Sequence, residues 1–379
     1  MLAEAAEMEH NLLCSYLYAA FSMRSADDGL SAEEERSVQG WRRAIIGVAI
    51  QEMGHLATVN NIAVALGGEP HFDRPNFPVP PGYHPSGFEL RLVPFSLETL
   101  EHFIFLERPA DAPVEEPAEF QSGGEPPREL RRPMVTPSAR DYPTIGGLYD
   151  VIRRELRVLA AQRGSRTFVA ADRQLSPEDS GLDGVAVIRD LGGALAALRH
   201  VVEQGEGGTP GAPDSHFARF SAIREEWARM RERNPAFQAA HPAAVDPVMR
   251  RPVDGAARVW ITAHPAAELL DLGNAIYGAL LTMLAQLYQP LAPGARKALA
   301  GAAIELMHGL SRVGRDLARL PASADHPGNA GLTFAVPRAL GPRAETALIA
   351  ERLSVLAEIY ADMVDGEKNP VDRAARSLT

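Results

Sequence analysis

Six residues have side chains whose types and spacing could hold a metal ion: Glu9, Glu52, His55, Glu203, Glu206 and His216. Glu52 and His55 form a Glu-x-x-His pair. On a helix that spacing puts a carboxylate and an imidazole on one face, where both can reach one cation inside a helix bundle. Ile45, Val48, Ala49, Leu56, Val59 and Ala63 fall in phase with them at three- and four-residue steps, so the pair sits in an apolar stripe. A charge in such a stripe costs several kcal/mol, roughly, unless it is paired or bound to a cation. A lone Glu-x-x-His is more often a packing hydrogen bond than a ligand pair, so the other acids matter. Glu9 interrupts the stripe formed by Ala5, Leu12, Leu13, Tyr16, Leu17 and Ala20. Glu206 is in phase with Leu195, Leu198 and Val202, with Glu203 one turn away, and His216 follows a potential Ser215 cap. Taken singly, each could be a solvated acid, a frayed helix end or a capping histidine. Together, four carboxylates and two imidazoles facing one core suit non-haem iron or manganese, with the metal removing the burial penalty of the acids.

Helices must position these groups. The first is expected from Leu2 to Met23. The second opens at Ser31 with Glu34 three residues on, a capping-box pattern, and runs through Glu52 and His55 to Leu66, before Gly67 and Gly68. Further helices are expected over Leu97–Leu106 after Ser96, from Pro143-Thr144 through Leu159, over Leu191–Gly205, and from Ser215 to Arg233. The segment from Pro70 to Pro94 reads as a connection with an extended piece near Phe88–Val93, Phe168-Val169 as a short strand, and Ala110–Tyr142 as a long loop. Asn234–Pro265 is a proline-rich linker by composition. Three more helices follow, over Ala266–Tyr288, Gly294–Leu320 and Ala344–Asp365. The expected architecture is all-α: a four-helix bundle over 1–234 with long loops, and an additional helical C-terminal region over 235–379.

Composition narrows the function classes. Aromatics make up 6% and β-branched runs are scarce, which argues against a β-sandwich or barrel. A net charge of −11 leaves no basic surplus for phosphate neutralisation, so nucleic acid is not an expected partner. The single cysteine, Cys14, excludes an internal disulfide. There is no run of about 18 apolar residues and no leader-type N-terminus, so neither a membrane span nor secretion is expected. A cytoplasmic protein is the expectation, with a homo-oligomer left open.

Several runs carry a family resemblance. They are Glu9-His-Asn-Leu-Leu-Cys-Ser-Tyr16, Gln51-Glu-Met-Gly-His55-Leu-Ala-Thr-Val-Asn-Asn61, Leu66-Gly-Gly-Glu-Pro70, Phe105-Leu-Glu-Arg-Pro109, Ile145-Gly-Gly-Leu-Tyr149, Glu203-Gln-Gly-Glu-Gly207 and Ser215-His-Phe-Ala-Arg-Phe220. Later pieces, Leu272-Gly-Asn-Ala-Ile-Tyr277 and Ala330-Gly-Leu-Thr-Phe334, continue it. The chain resembles ferritin-like proteins related to iminophenyl-pyruvate dimer synthase. The resemblance implies a ferritin-like core with metal-type ligands and a role in bisindole-type natural product assembly, where synthases couple two imines derived from tryptophan. It also implies an acid where this chain has Gly147. Without it, one ion or two remain open, and Glu107 is a candidate substitute.

The function expected from these observations is a metal-dependent oxidoreductase or oxidative coupling synthase acting on a small aromatic or imino-acid-derived molecule. The expected cofactor is one or two iron ions, with manganese as the alternative and haem less favoured. An iron-binding, ferroxidase-like protein without an organic substrate is the competing reading, and a structural protein with a decayed site is a third. Cys14 reads as a small core residue more readily than as a soft ligand. His308 beside Met307 reads as packing or surface more readily than as a haem ligand. Tyr16 and Tyr149 could line a pocket or donate hydrogen bonds to a ligating carboxylate.

Overall fold

A computed structural model describes residues 1–80, 89–120, 142, 144–207, 213–252, 258–291, 294–336, 346–364 and 369–378, with side chains described for all of these but 206, 207 and 346. The helices are α1 (Leu2–Ser22), α2 (Ala32–Ala65), α3 (Leu97–Leu106), α4 (Ile145–Arg163), the single turn α5 (Pro177–Ser180), α6 (Leu191–Val202), α7 (His216–Arg233), α8 (Ala266–Gln286), α9 (Ala295–Leu317), α10 (Thr346–Met363) and α11 (Pro370–Arg376). Two parallel two-residue strands, β1 (Pro247–Val248) and β2 (Val259–Trp260), are the only named strands among the described residues. The all-α expectation stands.

Local sequence explains where the helices begin. At α2 the Ser31 hydroxyl accepts from the Glu34 amide at 3.3 Å, and the Glu34 carboxylate accepts from the Ser31 amide at 2.8 Å. This reciprocal bonding satisfies two of the amides that a helix start leaves open. Ser96, Thr144, Asp190 and Ser215 each accept from an amide in the first turn of α3, α4, α6 and α7. Helix α11 was not expected, although Asn369 followed by Pro370 is a readable start: Asn369 accepts from the amides of Val371 and Asp372.

The long helices differ from simple amphipathic ones. Almost every residue of α1 from Ala5 onward is buried, as is the second half of α2. The reason is coverage on two sides. One face of the α1–α2 pair meets α4, α6 and α7, and the other meets α8 and α9. Gly314 of α9 makes the second contact close, because a Cβ there would collide with the Phe21 ring. The Asn234–Pro265 stretch is not a free tether. Its amides and carbonyls bond to the end of α1, with the Arg24 amide on Ala239 O and the His241 amide on Ser22 O, both at 2.8 Å.

The extended pieces are shorter than expected. Leu90 pairs with Val79 through two backbone hydrogen bonds, while Phe88 lies outside the described residues. Phe168-Val169 forms no strand; the Val169 amide bonds to Ala65 O at the end of α2. Most of the Ala110–Tyr142 loop also lies outside the described residues.

Candidate metal centre

Five side chains converge between α1, α2, α3 and α7. Glu9 comes from α1, Glu52 and His55 from adjacent turns of α2, Glu107 from the C-terminal end of α3, and His216 from the first turn of α7. All are at most 4% exposed. Glu52 is central. Its Oε2 is 2.8 Å from His55 Nδ1, and its Oε1 is 2.9 Å from His216 Nδ1. Glu9 Oε2 lies 3.4 Å from His55 Nδ1, and Glu107 Oε2 lies 3.6 Å from His216 Nδ1. Ligand atoms of two triads, Glu9–Glu52–His55 and Glu52–Glu107–His216, therefore gather within 4.8 Å, sharing Glu52.

The surrounding groups aim these side chains. Gln51 Oε1 accepts from Arg219 Nη1 at 3.0 Å, and His216 Nε2 is 3.1 Å from the same oxygen. Arginine can only donate, so the amide oxygen faces both groups and His216 Nε2 carries a proton. His55 Nε2 lies 2.9 Å from Gln204 Oε1 in the same manner. Both imidazoles therefore turn Nδ1 toward the carboxylates, which is how amide or carboxylate partners orient metal-ligating histidines. The Tyr149 hydroxyl donates to Glu9 Oε1, and the Tyr16 hydroxyl donates to Glu107 Oε1. Each of these acids keeps its other oxygen on the histidine side. Gly205 packs so closely that a Cβ would stand 3.1 Å from Glu107 Oε2.

Electrostatics show what replaces a cation in this arrangement. Burial, reinforced by the Glu52 charge, pushes the Glu9 carboxyl up to about 8. Burial likewise raises Glu107, again with Glu52 adding to it. Burial would also raise Glu52, but the His216 and His55 charges outweigh it and hold Glu52 well below the usual carboxylate range. Burial lowers both imidazoles, yet Glu52 prevails, raising His216 to about 9 and His55 well above its ordinary value. Protons on His55, His216 and Glu9 thus balance the cluster.

The donor set also fits a metal ion. His216 Nδ1 is buried and makes no hydrogen bond, although Glu52 Oε1 is 2.9 Å away. The contact is close but not directed, and on losing its proton this nitrogen would turn a lone pair toward a cation between the two. Carboxylate oxygens with two imidazoles are the ligand types of non-haem iron and manganese sites.

The sequence expectations divide here. Glu9, Glu52, His55 and His216 come together, and Glu107 joins them. Glu203 is exposed and is not among the converging groups. The Glu206 side chain lies outside the described residues. The helical phase that pointed to both acids stops at Val202, where α6 gives way to a π-helical turn over Glu203–Gly207. The wider turn shifts the phase, and Gln204 faces His55 instead. Gly147 lies on the α4 face shared with Asp150, Arg154 and Arg157, away from Tyr149 and its contact with Glu9. An acid there is not needed to complete the cluster, because Glu107 occupies the fifth position. Cys14 is buried 3.5 Å from the Tyr277 hydroxyl, on the C-terminal side of α1, and the His308 side chain is 67% exposed. No helix among the described residues is long and apolar enough to cross a membrane.

Comparison with known proteins gives this geometry a family. Two curated relatives align over most of the chain. One is 2-imino-3-(indol-3-yl)propanoate dimerase of Chromobacterium violaceum, 29% identical over 82% of this chain and 31% of its own length. The other is dichlorochromopyrrolate synthase of Lentzea aerocolonigenes, 27% identical over 91% of this chain and 36% of its own length. The chain thus spans about a third of the length of the curated relatives it matches. A solved ferritin-like protein from Caulobacter vibrioides is similar at 22% identity and a TM-score of 0.49, over 82% of this chain and 92% of that one. The ferritin-like family model matches residues 2–225, which contain all five converging side chains, and the chain belongs to the ferritin-like family.

Proposed function

We propose that the chain is the metal-binding part of a ferritin-like oxidative coupling synthase, acting on a small aromatic or imino-acid-derived molecule in natural product biosynthesis. The observation that carries this reading is the buried pair of triads sharing Glu52. The names of the two curated relatives supply the substrate class, since one is an indolyl imino acid dimerase and the other a chromopyrrolate-type synthase. Glu9, Glu52, Glu107, His55 and His216 would hold two iron ions, with manganese as the alternative. Glu203 would reach the ions only if the turn after α6 rearranged, and Glu206 is kept as a candidate further ligand. When bound, the metal supplies redox change or Lewis acidity.

The chain's own residues prepare that chemistry. Glu52 offers one oxygen to each triad. The Gln51 and Gln204 amides fix the imidazoles with Nδ1 inward. The Tyr149 and Tyr16 hydroxyls hold protons against Glu9 Oε1 and Glu107 Oε1, which orients both carboxylates and offsets part of their charge. Burial of all five ligand-type residues keeps bulk water from the cluster. The chain would divide into a bundle over 1–234 and a helical region over 235–379 packed on it, with the ring of Phe21 against Gly314 as one contact between them.

The test is to load the chain with iron(II), add tryptophan with an amino-acid oxidase that generates the imine, and follow coupled product by mass spectrometry under air. Product that depends on the chain and is lost in Glu52→Gln supports the reading. Product no greater than the protein-free control contradicts it. Iron handling without an organic substrate is the second reading. It is favoured by the burial of the cluster, with the apolar cavity among the described residues lying behind α1 and α2 and not over the carboxylates. Iron(II) oxidation undiminished by every imine tested would favour it.

A further inference from the structure

The cavity behind the α1–α2 pair has a chemistry of its own. It encloses about 410 Å³ between α1–α2 and α8–α9, within the range of small-molecule sites. Its α1 wall is His10, Leu13, Leu17 and Phe21, the face opposite Glu9. Rings of Phe72, Tyr277, Tyr288 and Phe334 add to Phe21, an aromatic concentration in a chain that is only 6% aromatic. Tyr277 and Phe334 meet at 81° and Phe72 and Tyr288 at 54°, while Phe21 and Phe334 stack at 23° with centroids 6.3 Å apart. The cavity also includes Ile50 and Ile304, each 45% exposed.

One polar cluster adjoins this apolar space. Arg74 is 6% exposed and its hydrogen bonds go to neutral groups: the Tyr277 hydroxyl from Nε at 3.3 Å and from Nη2 at 3.1 Å, the Pro75 carbonyl at 2.9 Å, and the Phe334 carbonyl. No acid among the described residues forms an ion pair with it. A guanidinium buried without a counter-charge is costly. The proton order then follows. The Tyr277 oxygen accepts from Arg74, so its own proton goes to His10 Nε2 at 2.6 Å. With Nε2 accepting, the ring proton of His10 is on Nδ1. The Phe72 carbonyl is near the ring, yet Nδ1 makes no hydrogen bond. A buried cation without an anion and a buried donor without a directed hydrogen bond thus occur together, with His10 and Tyr277 in the wall of an aromatic cavity and Arg74 behind them.

We infer that this cavity is a second ligand site, separate from the carboxylate–histidine cluster, and that it takes an aromatic carboxylic acid. The ring system would lie among Phe21, Phe72 and Phe334, and the carboxylate would complete the Arg74–Tyr277–His10 cluster. This inference does not depend on the proposed reaction.

The test uses 1-naphthylacetate as probe, with its amide as the uncharged control, by titration calorimetry on the full chain. The acid is expected to bind saturably, and the amide at least about tenfold more weakly, the loss of one charge-assisted interaction. Arg74→Met should bring the acid down to the amide's affinity. Ala303→Phe, which fills the cavity from α9, should abolish binding of both, and circular dichroism reports whether each variant is folded. Glu52→Gln should bind the acid as wild type does. Absence of saturable binding below about 1 mM overturns the site. Equal affinity for acid and amide overturns the carboxylate assignment. Undiminished binding by folded Ala303→Phe, or lost binding in folded Glu52→Gln, places the probe elsewhere and overturns the inference as well. If Arg74→Met does not fold, the acid–amide ratio in wild type and the Ala303→Phe result decide.

Discussion

Replacing Glu52 by glutamine isolates the group on which the whole cluster depends. The substitution keeps the shape of the side chain and removes the charge that faces both His55 and His216. In the metal-free protein the Glu52 charge is the main force holding the two buried imidazoles protonated against burial. Without it burial prevails, and His216 should fall from about 9 to below its ordinary value of 6.5. Breaking a buried ion pair from one side costs about 3–5 kcal/mol. With an unfolding entropy of about 2.1 cal/mol/K per residue, a chain of this size loses about 4–6 °C in Tm at neutral pH. Metal affinity should fall at least about 100-fold, because Glu52 serves both triads and even indirect supports of a ligand are worth about 10–100-fold. Differential scanning calorimetry of the metal-free protein, NMR titration of the imidazoles and competition with a chelator measure the three effects. A Glu52→Gln variant with wild-type Tm, an unmoved His216 titration and wild-type affinity would refute the argument.

Other outcomes follow from the same contacts. Metal binding at pH 7 should release about three protons, one each from Glu9, His55 and His216, seen as a dependence of binding heat on buffer ionisation. The metal-free protein should lose stability as pH rises. The raised His216 stabilises fully below 6.5 and loses this through about 9, and the raised Glu9 acts in the same direction between 4.5 and about 8. The loaded protein should show the opposite trend, its apparent metal affinity rising over that window. Tyr149→Phe removes the donor to Glu9 Oε1 and should weaken metal binding about tenfold with an intact fold, measured by the same chelator competition. Ser31→Ala breaks the capping box far from the cluster and should cost about 1 kcal/mol in chemical denaturation while leaving metal affinity unchanged.

Much of the site was legible because burial and helical phase reinforce each other. Glu9, Glu52 and His55 lie on regular helices, where spacing fixes the face, and the Ser215 cap fixes where His216 begins. Glu107 was harder, since it is in phase with Leu100, Phe103 and Ile104 but sits at the very end of α3 beside Pro109, with no second ligand-type residue one turn earlier on the helix. Glu203 lies apart from the cluster because the α-helical phase does not carry through a turn that is π-helical. The glycines at 205, 207 and 208 were the readable warning that α6 would not continue. Gln51 and Gln204 carried no signal at all, because an amide that sets a histidine tautomer has no spacing of its own. Burial of α1 on two sides was likewise hidden, as it depends on where α8 and α9 dock. Gly147 shows the converse, a departure that reads as a missing ligand in sequence but faces away from the cluster in space.

The most direct measurement is metal stoichiometry. The chain, loaded anaerobically with iron(II) and freed of excess by gel filtration, is analysed for metal alongside Glu52→Gln. Two ions per chain, one for each triad, with none retained by the variant, is the predicted result. Wild-type protein that retains no iron or manganese, or a variant that retains as much as wild type, would contradict the account.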